Sequence, residues 1–151
     1  MLLSIILNFF FIISSAFISL NSDLPSKGQN IGSLFIPSQN YFHSVVYSFE
    51  QDILDQDSIG LQAVGLKRNN FVLAGHNKKG VFSILEKLKV GEMVIFQIYE
   101  IEHRYRIEKR FLVGEDDISL LEETKEEQLT LLTCIWDSSK RLVLIAKKES
   151  F

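Results

Sequence analysis

Cysteine is nearly absent from this sequence: there is one, Cys134, in 151 residues. A single cysteine excludes an internal disulfide. Positive charge is not in excess either. The net charge is −3, and without a basic balance nucleic acid is not an expected partner. The first 22 residues, MLLSIILNFFFIISSAFISLNS, contain no charged side chain, and the first charge is Asp23. No Lys or Arg precedes that run and only Lys27 follows closely, so charge sets its orientation only weakly. Beyond this run there is no low-complexity tract and no internal repeat.

What is there begins with that apolar run. About 20 apolar residues cross a bilayer as a helix. The run is apolar on every face, which argues against an amphipathic helix. A cleaved signal peptide has a short apolar region and a small-x-small cleavage site. Here the run is long and SAFISLNS offers no clear Ala-x-Ala, so residues 1–22 are read as a single-pass membrane anchor, with a cleaved signal peptide as the alternative. Residues 23–33, rich in Ser, Asn, Gly and Pro, read as a linker. Residues 34–151 remain for one compact domain with a single core.

That domain reads mostly as strands. LFIP (34–37) is a strand stopped by Pro37, and HSVVYSF (43–49) is a second. FEQDILDQDSIG (49–60) mixes carboxylates with spaced apolar residues and has room for a helical turn. NFVLAG (70–75) is a strand ended by Gly75. In VFSILEKLKVG (81–91), Val81, Ile84, Leu85 and Leu88 follow helical spacing and Gly91 supplies a stop, so a helix is expected. EMVIFQIYE (92–100) and HRYRIEKRFLV (103–113) are strands joined by a hairpin near Glu102. In the second, Tyr105, Ile107, Lys109, Phe111 and Val113 share one face. An acidic connection (114–127) leads to the last two strands, LTLLTC and RLVLIAK. Many short strands with one or two helices point to a mainly β fold, a closed or nearly closed barrel, with an α+β sandwich as the alternative.

Cys134 ends one of these strands and Arg141 opens the next. A free cysteine is often a small buried apolar residue, yet a thiol exposed to an oxidising compartment persists where it is protected or used. A nucleophilic thiol needs a base, usually histidine. His76 follows a strand-ending glycine, in a loop bracketed by Gly75 and Gly80. His43 and His103 lie within or beside strand patterns and read as exposed strand histidines. Arg141 offers fixed, permanently charged donors for an oxyanion. Thiol, imidazole and guanidinium each lie at a strand end, where a barrel rim brings such groups together.

The pattern then becomes specific. TLLTC (130–134), with Arg141 seven residues on, resembles the sortase signature Thr-Leu-x-Thr-Cys with its downstream Arg. LAGHN (73–77) resembles that family's histidine segment, FSILEKLKVGE (82–92) its Leu-Lys-x-Gly-Asp/Glu stretch, and LFIPSQNYFHSVV (34–46) its opening Ile-Pro strand. The resemblance spans about residues 34–147 in the family's order, closest to the housekeeping type. It implies an eight-stranded barrel outside the plasma membrane. It implies a cysteine transpeptidase that cleaves a Leu-Pro-x-Thr-Gly sorting signal between Thr and Gly through a thioester. The acyl group passes to an amine of a cell-wall precursor or to a pilin lysine. By matching motif, Cys134 is the nucleophile, His76 the general acid/base and Arg141 the oxyanion and substrate-stabilising group. Thr133 would help shape the oxyanion site, Thr130 reads as plain β-propensity, and Trp136 is either a rim aromatic contacting substrate or core packing. No cofactor is expected. The carboxylates of 114–127 are of the kind that bind calcium, but residues 60–70 lack the acids that a calcium-using relative supplies before its histidine strand. The connection is therefore read as a solvated acidic face. Two other readings stand beside this one: an L,D-transpeptidase-like cell-wall enzyme, whose Ser-His-Gly-Cys context is missing here, and a non-catalytic membrane-anchored β-domain.

Overall fold

The computed structural model describes residues 24–62, 69–135 and 139–150. The anchor expected over 1–22 and Trp136 lie outside them. Among the described residues no helix is long and apolar enough to cross a membrane.

The strands are β1 (Asn30–Ile36), β2 (Tyr41–Tyr47), β3 (Ile59–Leu61), β4 (Asn70–Ala74), β5 (Met93–Ile98), β6 (Ile101–Gly114), β7 (Gln128–Cys134) and β8 (Lys140–Lys148). They close into one barrel in the order β1-β2-β3-β4-β7-β8-β6-β5. Closure displaces the sandwich alternative. β1 opens at Asn30, inside the stretch expected as linker. The seam between β1 and β5 depends on Gly32, where an added Cβ would lie 1.9 Å from the Gln97 carbonyl oxygen. Only a residue without a side chain permits that approach.

Two pairings among the described residues are parallel, β2 with β3 and β4 with β7. The β4–β7–β8 wall is covered on both faces. Leu73, Leu131, Leu142 and Leu144 point into the main core. Val72, Ala74, Leu132, Val143 and Ile145 pack outward against Phe49, Leu54, Leu120 and Leu121. A sheet buried on both faces reads as continuous apolar runs rather than alternation, which is why FVLA, LTLLTC and RLVLIA carry no period-2 pattern.

Two expectations are corrected. The helix expected over 81–91 is a single 3-10 turn, Ser83–Lys87, after which Leu88 is already extended. Val81, Phe82, Leu85 and Leu88 do bury together in the main core, but the segment makes one short turn packed against β7 and β8, too short to recover the cost of nucleating an α-helix. The shared face of β6 is broken by a register shift between Ile107 and Lys109. Tyr105 and Ile107 are buried as expected. Beyond the bulge, Arg110 and Leu112 pair with the inward-facing Leu144 and Leu142, so Lys109, Phe111 and Val113 change sides. One inserted residue exchanges the faces of a period-2 strand. The carboxylate-rich stretch 49–60 does hold a helical turn, α1 (Gln51–Leu54), and the β5–β6 hairpin turns at Tyr99 and Glu100, slightly before Glu102.

Thr130 does more than favour a strand. It is fully buried, and its hydroxyl donates to Asn70 Oδ1 at 2.7 Å. Asn70 Nδ2 donates in turn to the carbonyls of Leu120 and Glu122, both at 2.9 Å. This pins the acidic connection to the barrel wall. Thr130→Val keeps the shape and removes the donor, so a loss of about 1–2 kcal/mol is expected, read as a melting temperature lower by about 3–8 °C. An unchanged melting temperature would contradict the pin.

Candidate active site

The parallel pairing of β4 with β7 aligns Ala74 with Leu132. His76 and Cys134 each follow two residues later, so both emerge at the same end of neighbouring strands. The ladder runs one step further through Gly75 N–H, which donates to the Leu132 carbonyl at 3.3 Å. Thr133 locks the exit: its hydroxyl donates to the Gly75 carbonyl at 2.7 Å. Thr133 is 2% exposed. The hydroxyl expected to help shape an oxyanion site is therefore committed to the strand that presents His76.

Across the β7–β8 hairpin, Cys134 pairs directly with Arg141. Directly opposed residues of an antiparallel pair hold their Cβ atoms about 4.5–5.5 Å apart on one face. Both residues are half-buried. Arg141 Nε is buried without a hydrogen-bond partner among the described residues. A buried donor without an acceptor is costly, and it is the kind of group that a ligand oxygen satisfies.

His76 Nε2 lies 2.9 Å from Asp55 Oδ1, at the C-terminal end of α1. Asp55 carried no expectation. Its only local signal was membership of a carboxylate-rich turn, 21 residues before the histidine. Hydrogen bonds from His76 and then Gln51 hold its carboxyl below the usual carboxylate range. A second pair runs beside it, Lys78 Nζ to Asp57 Oδ2 at 2.7 Å. Together they strap the α1 loop to the His76 loop. Because the Asp55 carboxyl titrates below its unfolded value, this strap holds above the ordinary carboxylate range and loosens as pH falls through the depressed pKa.

Beside the pair opens a cavity of about 540 Å³ lined by Glu86, Arg110, Phe111, Leu112, Ile135 and Leu142. Ile135 and Leu142 directly follow Cys134 and Arg141. Asn77, next to His76, donates to Glu86 Oε1 at 2.7 Å on its rim. The cavity thus touches the chain neighbours of Cys134 and Arg141 and is tied to the His76 loop through the Asn77–Glu86 bond. Among the described residues no cluster of three His, Cys, Asp or Glu side chains is placed to hold a metal ion.

The other histidines are elsewhere. His43 is on β2, its Nδ1 beside the Ser44 carbonyl. His103 is not the exposed strand residue expected. Its side chain is 15% exposed and its Nδ1 lies 2.8 Å from Glu127 Oε1. Burial pushes Glu127 up, and hydrogen bonds from Lys148, Tyr105 and His103 outweigh it, leaving the carboxyl below its ordinary value. Glu127 precedes the first residue of β7 and Cys134 is its last, so this cluster occupies the opposite end of the barrel.

A family model described as "Sortase domain" matches residues 34–149. A Bacillus subtilis (strain 168) protein, YwpE, itself named as a candidate sortase, is 31% identical over 68 residues, which is 43% of this chain and 67% of that protein. Sortase A of Listeria monocytogenes is 26% identical over 87 residues, 54% of this chain but 39% of that protein. Among solved structures, that of Clostridium perfringens sortase C with its C-terminal cell wall sorting motif superposes with a TM-score of 0.75 at 25% identity. It covers 85% of this chain and 78% of its own.

Proposed function

The chain belongs to the sortase family, and on that premise we propose that it is a cysteine transpeptidase acting on a Leu-Pro-x-Thr-Gly-type sorting signal. The observation that carries the proposal is the register. Cys134 faces Arg141 across β7–β8, and the parallel β4–β7 pair brings His76 out at the same rim.

In this reading the Cys134 thiolate attacks the Thr carbonyl carbon of the signal. The Arg141 guanidinium donates to the oxyanion that forms. The tetrahedral species collapses with cleavage of the Thr–Gly C–N bond, and His76 gives its proton to the departing glycine amine. The product is a thioester on Cys134. An incoming amine attacks that thioester, His76 removes its proton, and the Cys134 thiolate leaves as the new amide forms. Thr133 acts indirectly, by fixing the Gly75 carbonyl where β4 gives way to the His76 loop. Trp136, outside the described residues, is kept as a candidate substrate contact on its sequence position beside Cys134 alone. The donor partners are surface proteins bearing the signal, and the acceptor is an amine of a cell-wall precursor or of a pilin lysine. With residues 1–22 as anchor, the barrel works at the outer face of the plasma membrane. No metal or cofactor takes part.

The test is transfer itself. The full chain in detergent micelles, given a panel of Leu-Pro-x-Thr-Gly-type peptides and a primary amine, is expected to release the Gly fragment and form the amide. Cys134→Ala is expected to do neither. Turnover that survives Cys134→Ala, or none with any peptide, would contradict the proposal.

A further inference from the structure

We propose that Asp55 is the positioning residue of the site, fixing the tautomer and orientation of His76; this rests on the reading of His76 as general acid/base. The geometry is specific. Asp55 Oδ1 is 2.9 Å from His76 Nε2, and the same oxygen accepts from Gln51 Nε2 at 2.7 Å, so the carboxylate is itself oriented. Its backbone is set by α1, whose Ile53 is buried and whose Leu54 packs on the outer cluster. Lys27 holds the start of that turn through Glu50 and Asp52, and Lys78–Asp57 holds its end.

An ionised carboxylate only accepts hydrogen bonds. The neutral imidazole facing it therefore carries its proton on Nε2. Nδ1 is left as the lone-pair nitrogen, available to take a proton from a thiol or an incoming amine. When His76 is protonated both nitrogens donate, and the Asp55 carboxylate faces the imidazolium directly. The other charged and titratable groups on the segments that meet this loop are Asp57, paired with Lys78, Lys79 of the loop itself, and Glu86, which accepts from Asn77. Cys134 and Arg141 come from β7 and β8. Among the described residues, only Asp55 touches a nitrogen of the ring. The dyad is half open to water: the side chains of His76 and Asp55 are 36% and 58% exposed. Its effect is therefore expected to be smaller than that of a sealed one.

Asp55→Asn discriminates this role from simple support of the loop. The amide is isosteric and can donate. With its NH₂ turned to Nε2, and the Gln51 amide turned to offer its oxygen in place of the N–H that Asp55 accepts, it selects the opposite tautomer and places the proton on Nδ1. Two readouts apply. In the full chain in detergent micelles, nitrogen-15 NMR of the neutral His76 ring is expected to report the Nε2–H tautomer. Asp55→Asn is expected to shift it toward Nδ1–H. In peptide transfer, Asp55→Asn is expected to lower kcat about tenfold, a part of the 10²–10⁴ available to acid–base catalysis. KM for the peptide should stay within about twofold, and Asp55→Glu should recover part of kcat. An Nδ1–H tautomer in the unaltered chain, or an Asp55→Asn kcat within twofold of it, would overturn the assignment. The NMR readout needs no substrate. If no peptide is turned over, the transpeptidase reading fails while the tautomer still decides the Asp55–His76 relation.

Discussion

Arg141→Ala is expected to lower kcat for peptide transfer by about 10²–10³, the cost of removing one oxyanion donor, with a melting temperature within about 3 °C of the parent. The separation of the two effects follows from position. Arg141 sits second in β8, opposite Cys134 and Val113 at the rim, whereas the core begins with Leu142. Its Nε is buried and unpaired among the described residues, so truncation removes no hydrogen bond recorded for that atom. Arg141→Lys is expected to rescue little. A lysine brings a charge but not the planar fork of donors, and its ammonium is more strongly hydrated. Steady-state kinetics with a thermal melt checks this. A variant that unfolds, or one whose lysine form restores full kcat, would move Arg141 from the reaction to the scaffold.

His76→Ala carries the second large effect, a loss of about 10²–10⁴ in kcat with little change in peptide KM. The imidazole has to serve twice, as acid toward the leaving glycine amine and as base toward the acceptor, so its removal slows both halves of the cycle. The loop should survive the change. His76 is half-buried, its carbonyl still accepts from the N–H groups of Lys78 and Phe82, and Lys78–Asp57 still closes the strap. A melting temperature that collapses in His76→Ala would show the imidazole to be a structural tie. Retained turnover would remove it from the chemistry.

Much of this was legible because the relevant strands are buried on both faces. The runs LTLLTC and RLVLIA mark β7 and β8 without ambiguity, and the short connection between them nearly fixes the pairing of Cys134 with Arg141. The contact of β4 with β7 was not legible from pattern. It is parallel, joins segments 58 residues apart, and is set by closure of the barrel rather than by any turn. The bulge in β6 was hidden because Lys109, Phe111 and Val113 continue the alternation that Tyr105 and Ile107 begin. The turn at 83–87 reads as a helix because Val81, Leu85 and Leu88 at helical spacing are buried in the barrel core by a segment that makes one 3-10 turn. Thr130 looked like any strand threonine, since its partner Asn70 belongs to another strand. Asp55 left the least trace. It is one of several carboxylates in an exposed turn, and only the fold brings that turn to the histidine loop.

The central claim, that Cys134 carries the acyl group, is tested most directly by intact mass measurement. The full chain in detergent micelles is incubated with the peptide panel in the absence of amine and quenched in acid. The account predicts a mass increase equal to the peptide through its Thr residue, mapped to Cys134, discharged on addition of amine and absent from Cys134→Ala. A chain that cleaves the peptide with no adduct at Cys134, or an adduct on any other residue, would contradict it.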